Sequence, residues 1–125
     1  MHTFPKSEKL CGQLRITALY KGSKRFVAFP MRVNYMCVQE SAAPPRVLIW
    51  APKSLFKHAV DRNHMRRLMR EAYRLSKQPL TDYCFEHNCS MQIAFNYIDK
   101  EQRSQADITA AMQKAVQKIL KQLQE

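Results

Sequence analysis

Apolar and polar positions recur along the chain with two different periods, which together predict both helices and strands. A period of two, or a short continuous apolar run, predicts strands over residues 26–38, 46–51 and 90–98. A period near 3.6 residues predicts helices over residues 13–21, within residues 53–77, and after Ser104, which resembles the N-cap of a capping box with Asp107. The remaining segments are a predicted extended arm at residues 1–9 and a predicted loop at residues 79–89.

The order of these elements predicts the fold class. A chain of 125 residues is expected to form one domain, here residues 1–125. With its elements in the order α-β-β-α-β-α, the domain is predicted to be a small α+β sandwich in which helices pack on a short sheet. The strands before and after the central helix are expected to form a crossover unit around it.

The central helix, within residues 53–77, has the most uneven charge in the sequence. This segment carries eight lysines and arginines but only two carboxylates, in a chain whose formal net charge is +11. At about 100° per residue, one arc of the helix is apolar and the opposite arc is basic. The apolar arc contains Met65, Leu68, Met69, Ala72 and Leu75, and the basic arc contains Arg62, Asn63, Arg66, Arg67, Arg70, Arg74 and Lys77.

Two interpretations of the basic arc compete: a solvated surface, or a binding site for a polyanion. A solvated helix face usually mixes signs, whereas Arg62, Arg66 and Arg70 repel one another at about 0.2–0.5 kcal/mol per pair. Arginine also binds phosphate with two parallel hydrogen bonds, which lysine does not. The pattern therefore favours a polyanion-binding face, formed by Lys53, Lys57, Arg62, Asn63, Arg66, Arg67, Arg70 and Arg74.

The sequence lacks the residue patterns of common catalytic sites. It has no nucleophile-elbow, zinc-protease or phosphate-loop motif, and only two glycines. The two carboxylates of the basic segment, Asp61 and Glu71, are too far apart to hold a pair of metal ions. General acid–base chemistry by His58 and His64 is conceivable, but their spacing favours ordinary polar surface groups. No catalytic residue is predicted in this chain.

Metal binding and membrane insertion are not indicated either. Cys84, His87 and Cys89 lie close in sequence but match no common zinc spacing, so no metal site is predicted. The four cysteines are expected to be reduced thiols, as in a cytoplasmic protein. No window of 18 apolar residues and no apolar N-terminal segment is present, so no membrane span or secretory signal is expected.

Aromatic and basic residues are interleaved between residues 20 and 35. Such a mixture suits single-stranded nucleic acid, in which bases stack on rings while phosphates pair with cations. The alternative is that the rings belong to the core, which we favour for Phe26 and Phe29 and leave open for Tyr20 and Tyr35.

At residues 59–74, the sequence AVDRNHMRRLMREAYR resembles the signature helix of the bacterial ribonuclease P protein family. That signature runs approximately Ala-Val-x-Arg-Asn-Arg-x-Lys-Arg-x-x-Arg-Glu. The matching polar positions are Arg62, Asn63, Arg66 (where Lys is usual), Arg67, Arg70 and Glu71. The arm with Phe4-Pro5-Lys6, the predicted first helix ending at Lys21-Gly22, the strand at residues 30–35 and the final amphipathic helix follow in the family's order.

The resemblance implies the ribosomal protein S5 domain 2-like fold and a role in tRNA maturation. It implies a subunit of the endoribonuclease that removes the 5′ leader of precursor tRNA, in which the RNA, with Mg²⁺, is the catalyst. The expected partners are this catalytic RNA and precursor tRNA, with no further protein required and no cofactor on the protein alone. The basic helix would contact the catalytic RNA. A cleft between the first helix and the sheet would receive the leader at Ile16, Tyr20, Val33 and Tyr35.

Several questions stay open at this level. His64 stands where the signature has its second Arg, which predicts a weaker or pH-dependent phosphate contact. Lys57 and His58 lack the Gly that some members have before the helix. Val33 and Tyr35 are apolar enough to be core residues instead of cleft residues. The alternative functions are a ribosomal or RNA-chaperone protein without a processing role, and a stand-alone nuclease that uses His58 or His64.

Overall fold

The computed structural model describes residues 23–38 and 42–124, which form a four-stranded sheet with helices on one of its faces. The α+β class is confirmed, whereas the predicted arm at residues 1–9 and the predicted helix at residues 13–21 lie outside the described residues. The strands are β1 (Lys24–Ala28), β2 (Met31–Val38), β3 (Arg46–Trp50) and β4 (Ser90–Tyr97). The helices are α1 (Ala59–Ser76), α2 (Gln78–Glu86) and α3 (Gln105–Leu123).

The strand order in the sheet is β1-β2-β4-β3. The β1–β2 and β2–β4 pairs are antiparallel, and the β3–β4 pair is parallel. Parallel neighbours must be joined by a crossover, because the chain has to return to the same end of the sheet. Here α1 and α2 supply that connection, which confirms the predicted crossover around the basic helix.

The strand predicted over residues 26–38 is a hairpin of two strands. Ala28 pairs with Met31, so Phe29 and Pro30 form the turn, and their peptide bond is cis. Proline lacks the amide hydrogen that a continuing strand would need. In a single strand, Phe26 and Val33 would lie on opposite faces, whereas in the hairpin they pair and both face the core.

The loop predicted over residues 79–89 was wrong in most of its length, because α2 occupies residues 78–86. Pro79 does end the preceding helix, but it lies in the first turn of α2, where a missing amide hydrogen leaves no hydrogen bond unmade. Leu80 and Cys84, four residues apart, fill the core on one side of this helix. The Gln78 side chain donates to Asp82 Oδ1 at 2.8 Å on its solvent side.

The core lies between the helices and one face of the sheet, which we call the inner sheet face. Val33 and Tyr35 of β2, and Ile93 and Phe95 of β4, are buried there in one core cluster that also includes side chains from all three helices. The last helix is confirmed with its predicted N-cap: the Ser104 hydroxyl accepts a hydrogen bond from the Asp107 amide at 3.2 Å. Its buried residues are Ile108, Ala111, Met112, Ala115, Val116 and Ile119.

Candidate nucleic-acid interface

Helix α1 begins at Ala59, within the range that the sequence predicted. No side chain caps its N-terminus, and Asp61 places a carboxylate in the first turn, near the positive end of the helix dipole. His58, the residue before the helix, has φ −86° and ψ 131°. Any residue adopts this extended conformation, so the turn needs no glycine at Lys57 or His58.

The buried side of α1 is rotated from its predicted position by roughly 50° around the helix axis, taking about 100° per residue. Leu75 was predicted to be buried but is 47% exposed, and Lys77 was predicted on the basic arc but is only 7% exposed. Tyr73 causes much of this shift, because its ring is buried against Phe95 at a centroid distance of 5.7 Å. The buried residues of α1 are Met65, Met69, Ala72, Tyr73 and Ser76.

The solvent side of α1 presents Asn63, Arg66, Arg67 and Arg70, which we call the arginine face. Arg66 donates from Nη2 to Asn63 Oδ1, and Arg67 Nη2 lies 3.5 Å from His64 Nδ1. Arg70 is exposed and has no hydrogen-bond or ion-pair partner within residues 23–38 and 42–124. The structure therefore brings these predicted residues together on one surface.

A depression with a volume of about 470 Å³ runs along this surface. Asp61 supplies its only carboxylate among the lining residues that the structure describes. Cationic and amide side chains dominate the rest, a combination that suits phosphate oxygens. The lining residues are Val60, Asp61, Asn63, His64, Arg67 and Arg70.

Arg74 lies one turn further along α1 and is engaged with a neighbouring acid. Its Nε donates to Glu71 Oε2 at 3.0 Å, and its Nη2 also bonds the other carboxylate oxygen. This hydrogen bonding lowers the pKa of Glu71 and raises the pKa of Arg74. The Glu71 carboxylate thus neutralises part of the positive charge of Arg74, whereas no described carboxylate pairs with Arg70.

Arg62 also turns inward. Its Nη1 donates to the main-chain oxygens of Phe56 at 2.9 Å and Lys57 at 3.0 Å. The loop of residues 52–58, between β3 and α1, is therefore tied to the first turn of the helix. Lys53 and Lys57 are exposed on this loop, which directly precedes α1 in the sequence.

Val33 and Tyr35, which the resemblance assigns to the leader cleft, are both buried in the core. Tyr35 packs edge-on against Phe26 at a centroid distance of 6.1 Å, and its hydroxyl donates to Gln122 Oε1 on α3. Of the two positions that the sequence left open for this pair, the structure shows the core position. Ile16 and Tyr20 lie outside the described residues, so the leader cleft itself stays a prediction.

The opposite side of β2 belongs to a second surface, which we call the outer sheet face. Strand register aligns the side chains of Val27, Arg32, Asn96 and Trp50 in one row across all four strands. The next row contains Arg25, Asn34, Ala94 and Leu48, and a small apolar cluster of Ala94, Met36 and Leu48 is separate from the main core.

Polar groups on the outer sheet face are linked across the strands. Asn96 Nδ2 lies 3.4 Å from both the Arg32 main-chain oxygen and Asn34 Oδ1, and Asn34 Nδ2 donates to Ser23 Oγ at 3.4 Å. Arg25 and Arg32 are exposed beside them, and Trp50 is 47% exposed. The sequence pattern had placed Arg25 and Arg32 in a segment that suits single-stranded nucleic acid. It did not identify Asn34, Asn96 and Trp50, because only strand pairing shows that these residues share a face.

Phe29, in the turn of the hairpin, does not lie where the sequence predicted. Phe29 was favoured as a core residue, but it is 58% exposed, and the Arg103 guanidinium lies 5.2 Å from its ring centroid. Phe26, by contrast, is buried as expected, with Lys118 Nζ 4.8 Å from its ring centroid.

The described cysteines are free thiols in a non-reactive setting. Burial is the main cause that raises the pKa of Cys84 to about 12, and burial together with Cys89 raises the pKa of Cys37 to about 11. Within residues 23–38 and 42–124, no three metal-binding side chains lie close enough together to hold an ion. Nor does that part of the chain contain a helix with the length and apolarity needed to cross a membrane.

An α+β sheet that carries an arginine and asparagine surface on its crossover helix defines a basic nucleic-acid-binding protein. A family model for ribonuclease P matches residues 4–123 of the sequence. The chain belongs to the ribonuclease P protein family.

Individual relatives agree with this assignment. A ribonuclease P protein component from Porphyromonas gingivalis is 37% identical over 115 residues, which are 91% of this chain and 84% of that protein. One from Chlorobaculum tepidum is 36% identical over 84 residues, which are 64% of this chain and 54% of that protein. A solved structure of the Staphylococcus aureus RNase P protein has the same fold, with a TM-score of 0.64 at 19% identity, covering 93% of this chain and 97% of that one.

Proposed function

We propose that this protein, as the protein component of ribonuclease P, binds the catalytic RNA through α1 and helps that RNA remove the 5′ leader of precursor tRNA. The observation that carries the proposal is the arginine face. Three arginines and an asparagine in the family's spacing stand on solvent, and Arg70 has no partner in the described part of the chain. Arginine and asparagine side chains in this arrangement bind phosphate oxygens.

The catalyst in this proposal is the RNA, and Mg²⁺ enters with the RNA rather than with the protein. The proposed reaction takes place in the cytoplasm, where reduced cysteines are expected. Within residues 23–38 and 42–124, no hydrogen bond joins His58 to His64, so the structure lends no support to a protein-only nuclease. His58 precedes α1, and the ring of His64 lies near Arg67. No observation favours the ribosomal or RNA-chaperone alternative.

A reconstitution experiment tests this role. The purified chain is added to transcribed ribonuclease P RNA and precursor tRNA at low Mg²⁺, where the RNA alone cleaves poorly. We expect 5′ cleavage to be restored only when both protein and RNA are present. Tight RNA binding without any effect on cleavage would support the chaperone alternative, and cleavage by the protein alone would support the nuclease alternative.

For the leader strand, we propose the outer sheet face as the sheet side of the binding cleft. The leader is single-stranded, and this face offers an exposed indole at Trp50 for stacking and Arg25 and Arg32 for phosphates. The partly exposed amide of Asn96 lies between them and suits base edges, whereas Asn34 beside it is only 2% exposed and accepts a hydrogen bond from Asn96. Val33 and Tyr35 would then support the cleft from the core instead of touching the leader.

Trp50 offers a direct test, because it is the only tryptophan in the chain. We expect an RNA with a leader to change the intrinsic fluorescence of the reconstituted complex, and leaderless tRNA to leave it unchanged. Arg32→Gln should weaken the binding of precursor tRNA more than that of mature tRNA. Equal losses for both substrates would remove the outer sheet face from the leader site.

A further inference from the structure

The loop of residues 52–58 is held at both of its ends by buried residues. Ala51 is buried where β3 ends, and the buried ring of Phe56 packs against Tyr97 at a centroid distance of 5.6 Å. Between these anchors, the Leu55 amide donates to the Pro52 carbonyl at 3.1 Å and closes a turn. This packing does not hold the main chain after Phe56. Lys57 lies in that part of the loop, and its side chain is exposed to solvent.

Arg62 holds that remaining part of the loop. Its Nη1 donates to the Phe56 oxygen at 2.9 Å and to the Lys57 oxygen at 3.0 Å, so one guanidinium nitrogen bridges two successive peptide groups. The guanidinium is rigid and planar, so donating both bonds fixes the direction of the two peptide groups on either side of Lys57, whose oxygens accept them. No other side chain in residues 23–38 and 42–124 bonds to either oxygen.

We propose that Arg62 is a positioning residue that fixes Lys57 for contact with RNA, rather than a phosphate ligand in its own right. The inference rests on the proposed function, because it presumes that Lys57 and the arginine face meet the same RNA. Arg62 and Arg70 both match arginines of the family's signature. Arg62 donates to the main chain of the neighbouring loop, whereas Arg70 is exposed to solvent. A lysine on a fixed backbone loses less conformational freedom on binding than one on a mobile loop.

A double-mutant cycle tests the coupling. Affinity for ribonuclease P RNA is measured at one salt concentration for the wild type, Arg62→Ala, Lys57→Gln and the double variant. We expect each single change to weaken binding roughly fivefold, and the double variant to be about as weak as either single variant, as coupled neighbours behave. Lys57→Gln and the double variant should also show the same dependence of affinity on salt concentration.

A matched control uses Arg70→Ala in the same cycle with Lys57→Gln. These two positions share no contact in the structure, so their losses should multiply. Arg62→Lys provides a variant that keeps the charge if Arg62→Ala does not fold. A positioning role predicts that Arg62→Lys weakens binding when Lys57 is present and has no effect when Lys57 is absent.

The possible outcomes separate this inference from the proposed function. If the affinity losses of Arg62→Ala and Lys57→Gln multiply in the double variant, and each single variant has a smaller salt dependence, then Arg62 is a phosphate ligand. That result would overturn the positioning role. Retained affinity in Arg62→Lys with Lys57 present would overturn it in the same way. If the wild type and Arg70→Ala bind this RNA equally weakly, the proposed function fails, whatever the cycle shows.

Discussion

Arginines that look equivalent in the sequence differ in the structure by what they already bind. Arg62 holds two loop carbonyls and Arg74 holds the Glu71 carboxylate, so each must give up or share an internal hydrogen bond to reach a phosphate. An incoming phosphate therefore has to compete with these bonds for the guanidinium. Arg70 has no such bond among the described residues, so its contact with RNA breaks no hydrogen bond within that part of the protein.

Arg70→Ala is therefore expected to remove one phosphate contact cleanly. The slope of log affinity for ribonuclease P RNA against log salt concentration should decrease by roughly 0.7–0.9. Lys100→Ala is the matched control, because it removes one exposed positive charge from the loop before α3. The same decrease in both variants would show a general charge effect instead of a contact by Arg70.

Tyr35, which the sequence left open between the leader cleft and the core, lies in the core. Its ring is 1% exposed, and its hydroxyl bonds to Gln122 on α3. Tyr35→Ala should lower the free energy of unfolding by roughly 3–5 kcal/mol, because truncation of a large buried aromatic side chain leaves a cavity. Tyr35→Phe should cost about 1 kcal/mol, the net value of one hydrogen bond.

Urea denaturation of the protein alone measures both changes. If Tyr35 instead lined a leader cleft, Tyr35→Ala would leave the unfolding midpoint nearly unchanged and would weaken binding of precursor tRNA selectively. The two substitutions thus separate a core position from a contact position.

Among the helices and strands, the sequence best predicted those whose apolar residues repeat regularly along one face. The period of α3 and its Ser104 cap, the strand β4 and the start of α1 were all predicted correctly. The hairpin at Phe29-Pro30 was missed because alternation runs through both strands, and periodicity does not show where the chain reverses. The outer sheet face followed only from the pairing of strands distant in sequence, which local patterns do not contain.

Helix α2 was missed for a different reason. Nine residues carry too few apolar positions for a clear 3.6-residue period, and Pro79 marks both the end of one helix and the start of the next. Tertiary packing of Leu80 and Cys84 then stabilises a helix that its own sequence supports only weakly.

The Ser104 cap gives a prediction at this scale. Ser104→Ala removes the only side-chain acceptor described for the first turn of α3 and should lower the free energy of unfolding by about 1 kcal/mol. Ser104→Asp keeps an acceptor and should retain most of the stability. Thermal unfolding of the three proteins measures the difference. Equal melting temperatures for wild type and Ser104→Ala would mean that solvent satisfies the Asp107 amide equally well.

For the whole molecule, buried ionisable groups link stability to alkaline pH. Burial raises the pKa of Cys84 from 9.0 to about 12 and the pKa of Tyr97 from 10.0 to about 12, and burial together with Cys89 raises the pKa of Cys37 from 9.0 to about 11. The unfolded chain therefore loses these protons at lower pH than the folded protein does. Where the folded state binds more protons, the free energy of unfolding falls as pH rises.

Stability from these groups should accordingly be complete below about pH 9 and should be lost progressively as the pH rises through 11 and 12. Cys84→Ala serves as the test variant, because it removes one buried thiol while the lysines, which also titrate in this range, are unchanged. The variant should be less stable than wild type at pH 7, since a buried sulfur is lost, but its melting temperature should fall less steeply between pH 9 and pH 12. Parallel curves for the two proteins would mean that the Cys84 thiol ionises equally easily in the folded and unfolded states, and that its burial has no influence on the alkaline limit of the fold.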